Sequence, residues 1–171
     1  MKKILYLLLF VLTLSAAANA QTAWVTTKID NKISVKFPAE PVKMNKPTGD
    51  VYVYRAPDSL AYSAARLDMN IVAHLDSTKL AQVKDMQPFA DQLIKGMASS
   101  KKNYTFGAVT IGQWKTYTCY NVSAKENTNN NTLLVQMILI GSEMYTLSCR
   151  IPAGMVTKSN EVFFNSVEVM K

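Results

Sequence analysis

Two neighbouring stretches, residues 133–140 and 145–151, carry apolar side chains on both of their faces. In the first, Leu133, Val135, Met137 and Leu139 alternate with Leu134, Ile138 and Ile140. Successive side chains of a strand point to opposite faces, so a sheet with one wet face shows a polar residue at every second position. The doubled apolar pattern therefore predicts a sheet covered on both sides, by helices from the middle of the chain and by the C-terminal segment. Gly141-Ser142 between the two stretches reads as a two-residue hairpin turn. The expected class is a layered α+β domain, a central antiparallel sheet flanked by helices.

Other strand signals lie at both ends. Residues 24–29 and 33–37 flank the turn-forming trio Asp30-Asn31-Lys32, and Pro38 and Pro41 end that pair. Residues 51–55 and 60–67 form a hairpin hinged at Ala56-Pro57-Asp58-Ser59, where proline presets the turn dihedral. The middle is helical. Asp76 or Ser77 caps a stretch at 78–85, and Pro88 fits the first turn of a second helix. Phe89, Leu93 and Met97 recur every four residues and give that helix a core-facing stripe, while Lys95, Lys101 and Lys102 suit its C-terminal end. A meander follows at 104–111, 114–123, 132–140 and 143–151, with a polar loop at Asn127-Thr128-Asn129-Asn130-Asn131. Ser159 caps a short helix carrying Val162, Phe163 and Phe164, and residues 167–170 add a last strand.

Residues 1–20 read as an export signal. Lys2 and Lys3 precede an apolar run from Ile4 to Leu12, and Ala18-Asn19-Ala20 is a small-x-small cleavage pattern. The run is about half of what a membrane-spanning helix needs, and no cysteine follows it for lipid attachment. Residues 21–171 are then one domain beginning at Gln21, exported to the periplasm or beyond as a soluble protein with no stable membrane insertion. Loss of Lys2 and Lys3 takes the formal charge from +7 to +5. With Arg55, Arg66 and Arg150 as the only arginines, that excess argues for solubility and anionic partners rather than nucleic acid. Asp58-Ser59-Leu60 and Asp76-Ser77-Thr78 resemble the acceptor tripeptide of O-glycosylated exported proteins, but a turn and a helix cap explain both.

An early strand ending in Phe37-Pro38-Ala39-Glu40-Pro41, a hairpin, helices, an antiparallel meander and a closing Phe-x-x-Ser (Phe163 or Phe164 to Ser166) together resemble the PsbP/Mog1-like superfamily. The resemblance spans nearly all of residues 21–171. It implies a central antiparallel sheet flanked by helices and an activity of binding other proteins, and it transfers no functional residue.

Few reactive groups are arranged for chemistry. His74 is the only histidine, and a zinc site needs three or four suitably spaced ligands, so neither a metal nor another cofactor is expected. The same lone histidine would have to serve any triad, and no Gly-x-Ser-x-Gly elbow is present. Ser99-Ser100-Lys101-Lys102 matches Ser-x-x-Lys without its companion boxes and reads as a polar helix end. Gly107 and Gly112 have phosphate-loop spacing, but Gln113-Trp114 stand where lysine and a hydroxyl belong; the glycines read as strand relief and a turn into Trp114. Asp68-Met69-Asn70 begins like a calcium loop and lacks its later ligands. Cys119 and Cys149 fall on strands separated by the 132–140 strand. In a simple meander they stand about 10 Å apart, beyond the about 7 Å of a disulfide, so free thiols are expected; another strand order would permit a bridge.

The leading expectation is a non-catalytic exported binding or accessory domain, its partner another envelope or extracellular protein, or a glycan. The alternatives are a small carboxylate-dependent hydrolase of glycosidase type and a structural envelope component. Facing acids in a deep cleft favour the hydrolase, and a broad exposed apolar or aromatic patch favours the binder. The candidate partner site is the 51–67 hairpin, with Tyr52, Tyr54, Tyr62 and Arg66, residue types that anchor interfaces. Tyr52 and Tyr54 share a face. Tyr62 joins them only if the turn holds one residue more than Pro57-Asp58.

Overall fold

The computed structural model describes residues 24–47 and 49–170, so the export signal read at 1–20 lies outside the described residues. Strands β9 (Thr132–Ile140) and β10 (Glu143–Ile151) pair around Gly141-Ser142, with Ile140 opposite Glu143. Gly141 takes φ +65°, which the tight turn requires and which a Cβ would strain. Strand β8 (Tyr117–Glu126) lies on the far side of β9, and β5 (Ala61–Asp68) on the far side of β10. Strands β4 (Gly49–Arg55) and β3 (Val42–Lys46) extend the sheet beyond β5. At the opposite edge, β6 (Tyr104–Phe106) and β7 (Thr110–Trp114) pair end to end along β8. All eight strands are antiparallel to their neighbours.

Pairing assigns the faces. Leu133, Val135 and Met137 of β9 lie beside Ala124, Val122 and Tyr120 of β8, and helices α2 (Ser77–Val83) and α3 (Gln87–Ser100) bury Leu80, Ala90 and Ile94 against them. The short helix α1 (Met69–Ala73), capped by Asp68, joins that side through Met69. On the other face Ile138, Tyr145, Leu147, Cys149 and Tyr62 meet a second, three-stranded sheet and helix α4 (Ser159–Asn165). That sheet is β1 (Val25–Lys28), β2 (Ile33–Phe37) and β11 (Glu168–Val169). The two-sided cover matches the doubled apolar pattern, with the N-terminal hairpin added to the C-terminal segment.

The two family-like motifs meet in this second layer. Phe37 and Phe163, both fully buried, pack edge to face with centroids 5.3 Å apart, and Phe163 packs likewise on Tyr62 at 5.2 Å. Ser166 closes the contact: its hydroxyl accepts from the Lys36 amide at 2.9 Å and donates to the Phe163 carbonyl at 2.7 Å. Fully burying one such ring contributes about 1.5–3 kcal/mol, and the hydroxyl keeps the adjoining backbone groups paired.

Several boundaries differ from the sequence reading. Strand β3 was not expected; it is an exposed edge and buries nothing that a pattern could reveal. Residues 104–111 are two strands: Gly107 still donates its amide to the Ser123 carbonyl, but Ala108 and Val109 leave the ladder before Thr110 pairs with Asn121. Gly112 lies inside β7, and Lys115, at φ 55°, makes the turn after Trp114. Lys158, not Ser159, precedes α4, which has no side-chain cap. Asp68-Met69-Asn70, which lacks the later ligands of a calcium loop, is the capped start of α1, Asp68 accepting from the Asn70 and Ile71 amides.

Candidate binding trough

The β4–β5 loop decides where the tyrosines go. Ala56 donates to the Leu60 carbonyl at 2.8 Å, and Ser59 takes the left-handed φ of 70°. The loop is therefore the three-residue kind, Pro57-Asp58-Ser59, a type I turn followed by a left-handed residue. That added residue sets Tyr54 opposite Tyr62 and brings Tyr52, Tyr54 and Tyr62 to one face. This face is the one under the small sheet. Tyr52 is 8% exposed and Tyr62 1%, and Tyr54 is half-buried against them. The partner site expected at these tyrosines is corrected accordingly: Tyr52 and Tyr62 are core, because the small sheet and α4 cover them.

Arg66 is also committed to the fold. Its guanidinium donates to both oxygens of buried Glu143, at 2.7 and 2.9 Å, and lies 3.3 Å from Asp30. Tyr145 donates to the same Asp30 carboxylate at 2.6 Å. The Glu143 hydrogen bonds raise the Arg66 pKa further. This cluster ties the β1–β2 loop to the large sheet, one guanidinium holding both acids.

The hairpin does offer a surface, through the alternate residues. Val51, Val53 and Arg55 point to the helix side, where α1 and α3 stop short of β3 and β4. One row across this open half runs Met44, Val51, Ala65, Thr146, Met137. The next runs Val42, Val53, Ser63, Ser148, Val135. Val42 is 68% exposed and Met44 39%. The floor is made of small residues, and the Ser63 and Ser148 hydroxyls bond each other at 2.7 Å across it.

Each end of this trough deepens into a cavity. At one end a space of about 320 Å³ lies between α1, α3 and the sheet, lined by Leu67, Met69, Val72, Leu93, Met97 and Met144 among others. Gly96 faces it from α3, and a Cβ there would meet nothing within 4 Å. Glycine inside a helix costs about 1 kcal/mol against alanine; here its effect is to keep the groove wall low. At the other end a space of about 490 Å³ is lined by Arg55, Ser59, Ala61, Tyr104 and Arg150. Arg150 reaches Glu126 at 3.2 Å. Hydrogen bonds from Asn131 and then Arg150 and Asn103 lower the Glu126 pKa. Among the described residues Arg55 makes no ion pair.

The remaining candidates are structural in their contacts. His74 is exposed and ends α1 in the left-handed conformation. Cys119 and Cys149 are buried free thiols on β8 and β10 with β9 between them. Asp58 accepts from the Leu60 amide within its turn, and Asp76 caps α2. Among the described residues no group of three or more His, Cys, Asp or Glu is placed to hold a metal, and no helix is long and apolar enough to cross a membrane.

Comparison with known proteins bears on the fold alone. No family model matches the sequence, and no curated protein matches it. The cyanobacterial PsbP protein CyanoP of Synechocystis sp. PCC 6803 superposes with a TM-score of 0.62 at 10% identity, covering 89% of this chain and 95% of that one. A protein of Bacteroides thetaiotaomicron VPI-5482 superposes at 0.50 with 14% identity over 88% of this chain. This chain spans 49% of the length of that protein. The chain has a PsbP-like α+β fold, as its motifs implied.

Proposed function

We propose that this chain is an exported, non-catalytic binding domain and that the open trough is its ligand surface. The observation that carries the reading is the uncovered half of the large sheet. Val42 and Met44 are exposed apolar side chains beside Val51 and Val53, in a surface that leads into an apolar cavity. Apolar area kept in water is costly, and a contiguous patch of it marks an interaction site. A floor of small side chains whose two serine hydroxyls bond each other suits a ligand that brings apolar surface better than it suits a glycan. Against the hydrolase alternative, Asp30 and Glu143 are both held by the one Arg66 guanidinium.

The test is affinity capture from the envelope of the native host with the tagged chain from Gln21 onward, beside its Ala65→Arg variant. Ala65 lies in the middle of the floor, so the new side chain crosses the trough without entering either core. Loss of the captured partner with unchanged thermal unfolding supports the reading. Equal capture by both proteins overturns it.

A further inference from the structure

We infer that the trough takes a single-chain anionic amphiphile, a long-chain fatty acid, with its hydrocarbon in the methionine-lined cavity and its carboxylate at Arg55. The inference rests on the binding reading above and names the ligand class. The polarity of the floor is graded along the strands. Down β5 the helix-side residues are Leu67, Ala65, Ser63 and Ala61; down β10 they are Met144, Thr146, Ser148 and Arg150. Those six residue steps span about 20 Å. One end is thus hydrocarbon-like and the other cationic, separated by a floor of small side chains.

Each part has a physical role. Flexible methionines, here Met69, Met97, Met137 and Met144, fill irregular gaps and repack around a chain of variable shape. Over the middle, the Ser63 and Ser148 hydroxyls bond each other, so hydrocarbon lying on them leaves one O–H donor unpaired instead of two. At the far end Arg55 makes no ion pair among the described residues, and its planar fork matches a carboxylate. Arg150 and Tyr104 border the same space; Arg150 is already turned to Glu126, which leaves Arg55 as the unpaired cation lining it among the described residues. A polar peptide would not use the apolar cavity, and a hydrocarbon without a charged head would not use Arg55.

The experiment is calorimetric titration of the mature protein with palmitate below its aggregation threshold, with the alcohol of the same chain length, and with phospholipid vesicles. Palmitate is expected to bind saturably and about tenfold more tightly than the alcohol, and the vesicles not at all. Arg55→Glu is expected to bring palmitate down to the alcohol's affinity while leaving the alcohol unchanged. Gly96→Leu fills the cavity from a position where the helix tolerates it, and is expected to weaken both ligands at least tenfold with a raised unfolding temperature. Vesicle binding, equal affinity for acid and alcohol, or indifference to both substitutions overturns the proposal. If palmitate fails to bind while capture remains sensitive to Ala65→Arg, the fatty-acid assignment falls and the binding reading stands; if both fail, both fall.

Discussion

Cys149 lies against Tyr62, its cross-strand neighbour in the second core, and burial pushes its thiol up to about 12. Burial does the same to the Tyr62 hydroxyl, also to about 12, with the nearby Cys149 charge adding to it. Tyr120 and Tyr145 shift in the same direction, again mainly through burial. The fold therefore favours the protonated forms. In the unfolded chain the thiol loses its proton near 9, in the folded chain only near 12, so above about pH 9 the unfolded state binds fewer protons and stability falls. Thermal unfolding should be steady up to about pH 9 and decline steeply from there towards about pH 12, with a shallower decline in Cys149→Ala. A flat profile would contradict it. For the same reason alkylating reagents should modify neither Cys119 nor Cys149 at neutral pH in the native protein, and both after denaturation, as thiol counts by mass spectrometry will read.

At the scale of elements, the two longer helices differ at their starts. Asp76 accepts from the Lys79 amide at 2.9 Å and caps α2, whereas α3 begins at Met86, an exposed side chain that caps nothing. Asp76→Ala should cost about 1 kcal/mol, and Met86→Ser should gain a similar amount, each measured by denaturant midpoint. Helix signals of this kind were readable: Pro88 and the Phe89, Leu93, Met97 stripe place α3 correctly. The doubled apolar pattern of β9 and β10 likewise revealed that both faces are covered. Strand β3 escaped because Val42, Lys43, Met44, Asn45 and Lys46 are all exposed, so no period separates an inside from an outside. The trough escaped for a different reason. Ala61, Ser63 and Ala65 read as an ordinary half-wet strand, and only the resting place of α3, a long-range outcome, decides that this face is walled but not filled. The tyrosine face turned on one loop residue, and Ser59 carries no glycine to announce its left-handed backbone.

For the whole molecule, the cluster of Asp30, Arg66, Glu143 and Tyr145 fastens one sheet to the other. Arg66→Gln leaves two acids facing each other without their cation and should cost about 1–3 kcal/mol, less than a fully buried pair because the arginine is partly in water. Adding Glu143→Gln should recover part of that loss, and denaturant melts of the single and double variants will measure it. The outer layer has a further property, one of timing. Lys36 is held by Ser166, 130 residues later, and Met170 donates to the Lys32 carbonyl. Strand β2 gains its second neighbour, β11, only from Glu168 and Val169, more than 130 residues later. Contacts so distant in sequence form slowly, since the long loop between them must close first. Until Phe163 is in place, Phe37 and Tyr62 lack their shared aromatic partner and the second core stands open. The outer layer is therefore a late seal: on refolding, the local hairpins of the large sheet should pair before it does.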